Sequence, residues 1–220
     1  MGLTKSVANI GAGTGSYETS RIVVAVEPSR VMINQRSLAS APAIQAAAEN
    51  LPIRTDAVDA AVAILTVHHW TDITAGVAEM LRIARRRVVV LTWDHAIFSQ
   101  FWLLREYLPA AAETDAHLAV PITTLSSLLG EGRVSIVHVP VPHDCLDGFG
   151  GAYWRRPHIY LEAAAQDGMS LFAMTPKSQL QDGLFRLRSD RTTGAWQLRH
   201  ADLLRTYLDL GYRLFIADVS

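Results

Sequence analysis

Hydrophobic residues along the first half of the chain fall into short unbroken runs, with mixed segments of helical spacing between them. Val7–Ile10, Ile22–Val26 ("IVVAV"), Asp59–Leu65 ("DAAVAIL") and Val88–Thr92 read as strands buried on both faces of a parallel sheet. A short third strand is predicted at Ala43–Ala48, an alternating sixth at Arg133–Val139 and a last one at Arg213–Ala217. Between them, "PSRVMINQRS", "ITAGVAEMLRIARR", "IFSQFWLLREYL" and "PITTLSSLL" carry helical patterns, with Asp72 a fair N-cap and Gly130 a stop. From Pro140 to Gly194 a long insertion holds two more helical stretches, "AYWRRPHIYLEAAA" and "KSQLQDGLFRLRSD". The end, "AWQLRHADLLRTYLDLGYRLFIADVS", reads as an amphipathic helix closed by Gly211 and followed by the last strand. This is an α/β pattern of parallel strands, most economically one domain: 1–94, then helices and insertion over 95–195, then the closing helix and strand over 196–220.

Composition narrows the partners. The chain has 220 residues, 20 basic against 21 acidic, and its net charge of −1 supplies no positive field for a nucleic acid. A small neutral or amphiphilic substrate fits better. One cysteine, Cys145, excludes an internal disulfide, and no apolar run approaches the ~20 residues needed to cross a bilayer. With no signal peptide before the first strand, a soluble cytoplasmic protein is expected. The opening "MGLTKS" matches the myristoylation pattern at Gly2 and Ser6, but the strand at Val7 leaves little tether for a lipid.

Chemistry concentrates where the first strands end. Gly11, Gly13 and Gly15 follow strand one directly, where glycine lets backbone approach a ligand, although tight turns use it too. Glu27 ends strand two, where a carboxylate can take both hydroxyls of a ribose, and its bland alternative is a solvated loop acid. Only eleven residues, Gly11 to Arg21, serve as loop and crossover together. That is near the minimum of about 10–12 for any such connection, and "SYETSR" supplies at most a turn of helix. A pyrophosphate would lack the helix N-terminus it usually rests on, whereas S-adenosylmethionine carries no phosphate.

Four stretches in series, "VANIGAGTGSYE", "VVAVEPSRVMINQR", "AENLPIRTDAVDAAVAILTVHHWTD" and "VVVLTWD", span Val7 to Asp94. In order and spacing they resemble the class I S-adenosylmethionine-dependent methyltransferases, in the group related to the quinone-ring C-methyltransferases. The resemblance implies a Rossmann-like, seven-stranded, mostly parallel sheet with an antiparallel last strand and helices on both faces. It implies S-adenosyl-L-methionine as cofactor and S-adenosyl-L-homocysteine as product. Gly11, Ala12 and Gly13 would pass under the methionine part, with Tyr17 against it. Glu27 would take the ribose hydroxyls, Pro28 and Met32 would flank the adenosine, Ala48 and Glu49 would border the adenine, and Leu65 and Thr66 would face the sulfonium. Many relatives carry an aspartate before the "AE" pair; here Ala47 stands there, so an adenine contact falls to Glu49, backbone or water. The chain also begins without the helices that often lid the substrate.

Closure is then expected from the segments after strands five and six, where Phe98, Phe101, Trp102, Tyr107, Tyr153, Trp154 and Tyr160 gather. Such rings could wall a flat substrate, form a homodimer face or be ordinary core. Arg155 and Arg156 could hold a substrate carboxylate or be solvated. Methyl transfer needs mainly alignment and exclusion of water. Where the acceptor must lose a proton, a histidine is suited, and His69, after strand four beside His68 and anchored by Trp70, is the candidate base. His138, His143, Asp144 and Cys145 fit no standard zinc spacing, and no metal is expected. Competing readings are a protein that binds the cofactor without chemistry and a nicotinamide-dependent oxidoreductase.

Overall fold

The computed structural model describes residues 4–219, so the acylation motif at Gly2 lies outside the described residues. The chain begins with β1 (Val7–Ile10), β2 (Ile22–Val26), α1 (Arg30–Asn34), β3 (Ala43–Ile44), β4 (Val58–Ile64), α2 (Ile73–Ile83) and β5 (Ala84–Trp93). It continues through α3 (His95–Phe98), a π-helix (Leu103–Tyr107), α4 (Pro109–Leu118), α5 (Ile122–Leu129), β6 (Val134–His138) and β7 (Val141–Pro142). The last part holds α6 (Ala163–Asp167), α7 (Ser170–Ala173), α8 (Lys177–Thr193), α9 (Ala195–Arg199), β8 (Tyr207–Leu208) and β9 (Tyr212–Asp218). These residues form two compact units. The first takes the chain up to Trp93, Val120–Val137 and the residues from Arg213 on; the second takes Asp94–Ala119 and His138–Tyr212.

The first unit is built on a seven-stranded sheet of order β3-β2-β1-β4-β5-β9-β6, mostly parallel with one antiparallel strand. The runs seen in the sequence become central strands: β1 is buried throughout, and β4 is buried along Val58–Ala63. Their apolar residues meet Val77, Met80 and Ile83 of α2 and Leu125 and Leu129 of α5 in one core. The switch of chain direction between β1, paired with β2 on one side and β4 on the other, leaves a crevice at the carboxyl ends, where ligands of such sheets bind.

Several boundaries differ from the pattern reading. Helix α2 stops at Ile83 rather than running to Arg86, because Ala84 and Arg87 pair with Val58 and Ala60 of β4, and strand pairing overrides helical spacing. Arg85 is held there too, 2.7 Å from Asp59. Strand β3 ends at Ile44, short of Ala48. No helix forms between β1 and β2.

The second unit has an aromatic core. Trp154 and Tyr160 are wholly buried, and Phe98, Phe101, Trp102 and Tyr107 nearly so. Their polar ends are satisfied internally: Trp102 Nε1 donates to the Trp154 carbonyl at 2.8 Å, Trp154 Nε1 to the Val141 carbonyl at 3.1 Å, and the Tyr160 hydroxyl to the Gly150 carbonyl at 2.9 Å. The aromatic stripe is therefore core, and the argument for a dimer face of exposed rings lapses. Arg156 donates to the Cys145 carbonyl and lies 5.0 Å over the Tyr153 ring, while Arg155 donates to the Arg205 carbonyl at 3.1 Å. Both arginines therefore make contacts within the fold.

The predicted 97–108 helix divides into the end of α3 and the π-helix, and "AYWRRPHIYLEAAA" is mostly turns before α6. The closing helix is also shorter than its pattern. It ends at Arg199, and Tyr207–Leu208 pairs with β7 instead. Gly211, at φ +90°, turns the chain into β9 where a Cβ would lie 2.7 Å from the Asp94 carbonyl oxygen.

Candidate cofactor site

The glycine loop is shaped by its neighbours. Gly11 and Ala12 donate to the Val26 carbonyl at 2.8 and 3.0 Å, so the chain folds over the end of β2 as it leaves β1. Gly11 has φ +68°, and a Cβ there would lie 2.0 Å from Thr66 Oγ1. Conformation and contact both exclude any side chain. Gly13, at φ +53°, has only Met32 Sδ within 4 Å of its missing Cβ, at 3.9 Å, and so leaves backbone accessible.

Glu27 is 5% exposed, and its two carboxylate oxygens accept from Gly13 N at 2.8 Å and Ser29 N at 2.9 Å. Each oxygen keeps further lone-pair capacity for a hydroxyl donor. Ser29 caps α1 by accepting from Met32 N at 3.3 Å, which brings Met32 beside the loop.

Sequence reading missed the pair that braces this loop. Arg36 and Glu18 meet at 2.5 Å with side chains only 5% and 7% exposed. Arg36 also donates to the Gly13 carbonyl at 3.2 Å and the Ala41 carbonyl at 3.1 Å, and Glu18 accepts from Ala41 N at 2.9 Å. Eighteen residues apart and outside any repeat period, the two gave no signal along the chain.

At the end of β4, Leu65 takes φ +51°, a left-handed conformation costly for a branched side chain and frequent at functional sites. A short 3₁₀ turn, Val67–His69, follows. Trp70 lies against Gly76 of α2, where a Cβ would be 2.4 Å from its ring, and this anchors the loop. His68 stacks edge-on to Trp93 with ring centres 4.8 Å apart, its Nδ1 buried without a partner among the described residues, and burial pushes its pKa down to about 3. His69 is more exposed, and partial burial also lowers its pKa while the Glu27 charge opposes the shift. It is therefore neutral at pH 7.

One oxygen of Glu49 is taken up by the loop after the 3₁₀ turn. Its Oε1 accepts from Thr71 N at 2.7 Å, Thr71 Oγ1 at 3.0 Å and Asp72 N at 3.2 Å. Burial raises its pKa, but hydrogen bonds from its own backbone, Asp72 and Thr71 outweigh this and hold it below the usual value. Ala48 is buried, whereas Tyr17 and Pro28 are exposed. Gly11, Ala12, Gly13, Glu27, Met32 and Thr66 thus lie together beyond the ends of β1, β2 and β4, with His69 within electrostatic range of Glu27. Among the described residues, no group of three or more His, Cys, Asp or Glu is arranged to hold a metal ion.

The glycine cradle, buried acid and missing crossover helix suit an adenosine compound without a pyrophosphate. Known proteins agree. The family model of a methyltransferase domain matches residues 8–92. A structure from Anabaena variabilis, described as a methyltransferase from an antibiotic biosynthesis pathway, is 33% identical over 97% of this chain and 90% of its own, with a TM-score of 0.90. A Thermotoga maritima structure, described as a SAM-dependent methyltransferase and possible histamine N-methyltransferase, is 23% identical over 62% of this chain and 67% of its own, with a TM-score of 0.50. The YcgJ protein of Bacillus subtilis is 14% identical over 98% and 92%, with a TM-score of 0.54. The last two bear on the fold alone. None of the curated proteins matches the chain.

Proposed function

Since this chain belongs to the S-adenosylmethionine-dependent methyltransferases and is an enzyme that uses that cofactor, we propose that it methylates a small organic acceptor in the cytoplasm. The observation that carries the site assignment is the buried Glu27 carboxylate hydrogen-bonded to Gly13 N at the end of β2. Gly11, Ala12 and Gly13 would hold the methionine portion with Tyr17 beside it, and Glu27 would accept from the ribose hydroxyls. Pro28 and Met32 would flank the adenosine, Ala48 would border the adenine, and Leu65 and Thr66 would close the sulfonium end. With Glu49 Oε1 committed to Thr71 and Asp72, the adenine contact falls to its other oxygen or to backbone.

When bound, the cofactor supplies an electrophilic methyl group, so the protein's part is alignment and dryness, effects worth about 7–11 kcal/mol in favourable systems. His69, neutral at pH 7, would take a proton from an acceptor that must lose one. A small organic acceptor is supported by the near-neutral net charge and by the antibiotic-pathway description of the Anabaena relative.

Calorimetry with S-adenosylmethionine, S-adenosylhomocysteine and NAD tests this reading. The first two should bind and NAD should not. Glu27→Ala should weaken S-adenosylhomocysteine by roughly 1–3 kcal/mol, and unchanged affinity would mean the ribose lies elsewhere. His69→Gln should keep that affinity and lose methyl turnover; full turnover would remove it as the base.

A further inference from the structure

The second unit carries a partly open cavity of about 610 Å³, lined by residues other than those of the cofactor site. Its size lies within the roughly 300–1,000 Å³ of small-molecule sites. One wall is the π-helix Leu103–Tyr107, a rare form that recurs at functional sites. This distorted turn is held from outside. Gly183 of α8 approaches so closely that a Cβ would lie 1.8 Å from the Tyr107 carbonyl oxygen, and the Tyr107 hydroxyl donates to Asp190 at 2.8 Å. It presents Arg105 and Glu106 to the cavity beside the rings of Phe101 and Trp102.

The charges on the wall are unevenly spent. Arg105 is paired with Glu106 at 2.7 Å, and Arg199 is paired with Asp190 and lies 3.9 Å from Glu106. His200, its side chain 8% exposed, sits 3.2 Å from the same Glu106. Both guanidinium groups are thus already neutralised. Two more carboxylates, Asp202 and Asp209, also line the cavity; Asp209 lies 3.4 Å from His138, while Asp202 has no ion-pair partner among the described residues. Aromatic side chains on the wall combined with surplus negative charge favour an organic cation over an anion.

We propose that this cavity binds a small protonated amine carried on an apolar or aromatic body, with the ammonium at Asp202 and the body against Phe101, Trp102 and Leu203. The ligand is either the acceptor of the methyl group or an effector, and the two share this chemistry.

The test uses the full chain at pH 7 and three probes of similar shape: tryptamine, neutral tryptophol and anionic indole-3-propionate. Tryptamine should bind at least tenfold more tightly than the other two, and Asp202→Asn, or the double change with Asp209→Asn, should erase that preference while circular dichroism stays unchanged. No tryptamine binding at millimolar concentration, equal binding of all three probes, or a preference untouched by both carboxamide variants overturns the proposal. Labelled methyl from S-adenosylmethionine then separates the sources. Label on bound tryptamine supports an acceptor site, and binding without label supports an effector site.

Discussion

Gly11 meets two demands at once, a left-handed backbone and a contact with Thr66 that leaves no room for a methyl group. Gly11→Ala should therefore cost at least about 2 kcal/mol of stability and abolish cofactor binding, read by urea unfolding and calorimetry. His68 makes a different prediction. Its pKa of about 3 lies below the ordinary 6.5, so between those values the unfolded chain binds the extra proton. Stability from this group is complete above pH 6.5 and lost as the pH falls, on the order of 3 kcal/mol by pH 4. Urea midpoints across that window should show it, and His68→Gln should flatten the slope. The glycines and Glu27 were legible because their spacing follows single strands. Arg36, Glu18 and the contacts of Glu49 were not, because their partners lie 18 to 23 residues away across loops.

At the scale of elements, the unbroken apolar runs of β1, β4 and β5 revealed the sheet, since strands buried on both faces need them. Strand β2 carries such a run and yet leaves Val23 exposed, so its expected burial on both faces fails there. The reading failed where tertiary pairing overrode local spacing. Arg85 and Arg86 continued a helical pattern but belong to a strand, and the helical run through Phe101 to Tyr107 became a π-turn. That turn depends on one glycine. Gly183→Ala would push a methyl group into the Tyr107 carbonyl and should destabilise the second unit by about 3 kcal/mol, seen as a lowered Tm and altered near-ultraviolet dichroism of its tryptophans.

For the molecule as a whole, near-equal numbers of acids and bases leave no net positive field, and no helix among the described residues is long and apolar enough to cross a membrane. The aromatic wealth of the later segments was visible in the sequence, but its use as core was not, because composition does not say which ring faces which. Cofactor binding should be felt by the folded chain. At a hundredfold excess over Kd, S-adenosylhomocysteine should add about 2.7 kcal/mol and raise Tm by several degrees, while NAD leaves it unchanged.

The Arg36–Glu18 brace has a wider meaning. The glycine loop has no helix behind it and is held instead by the planar fork of hydrogen bonds from Arg36. Lysine has the charge but not the fork, so the safest-looking exchange on paper is the one this loop tolerates least.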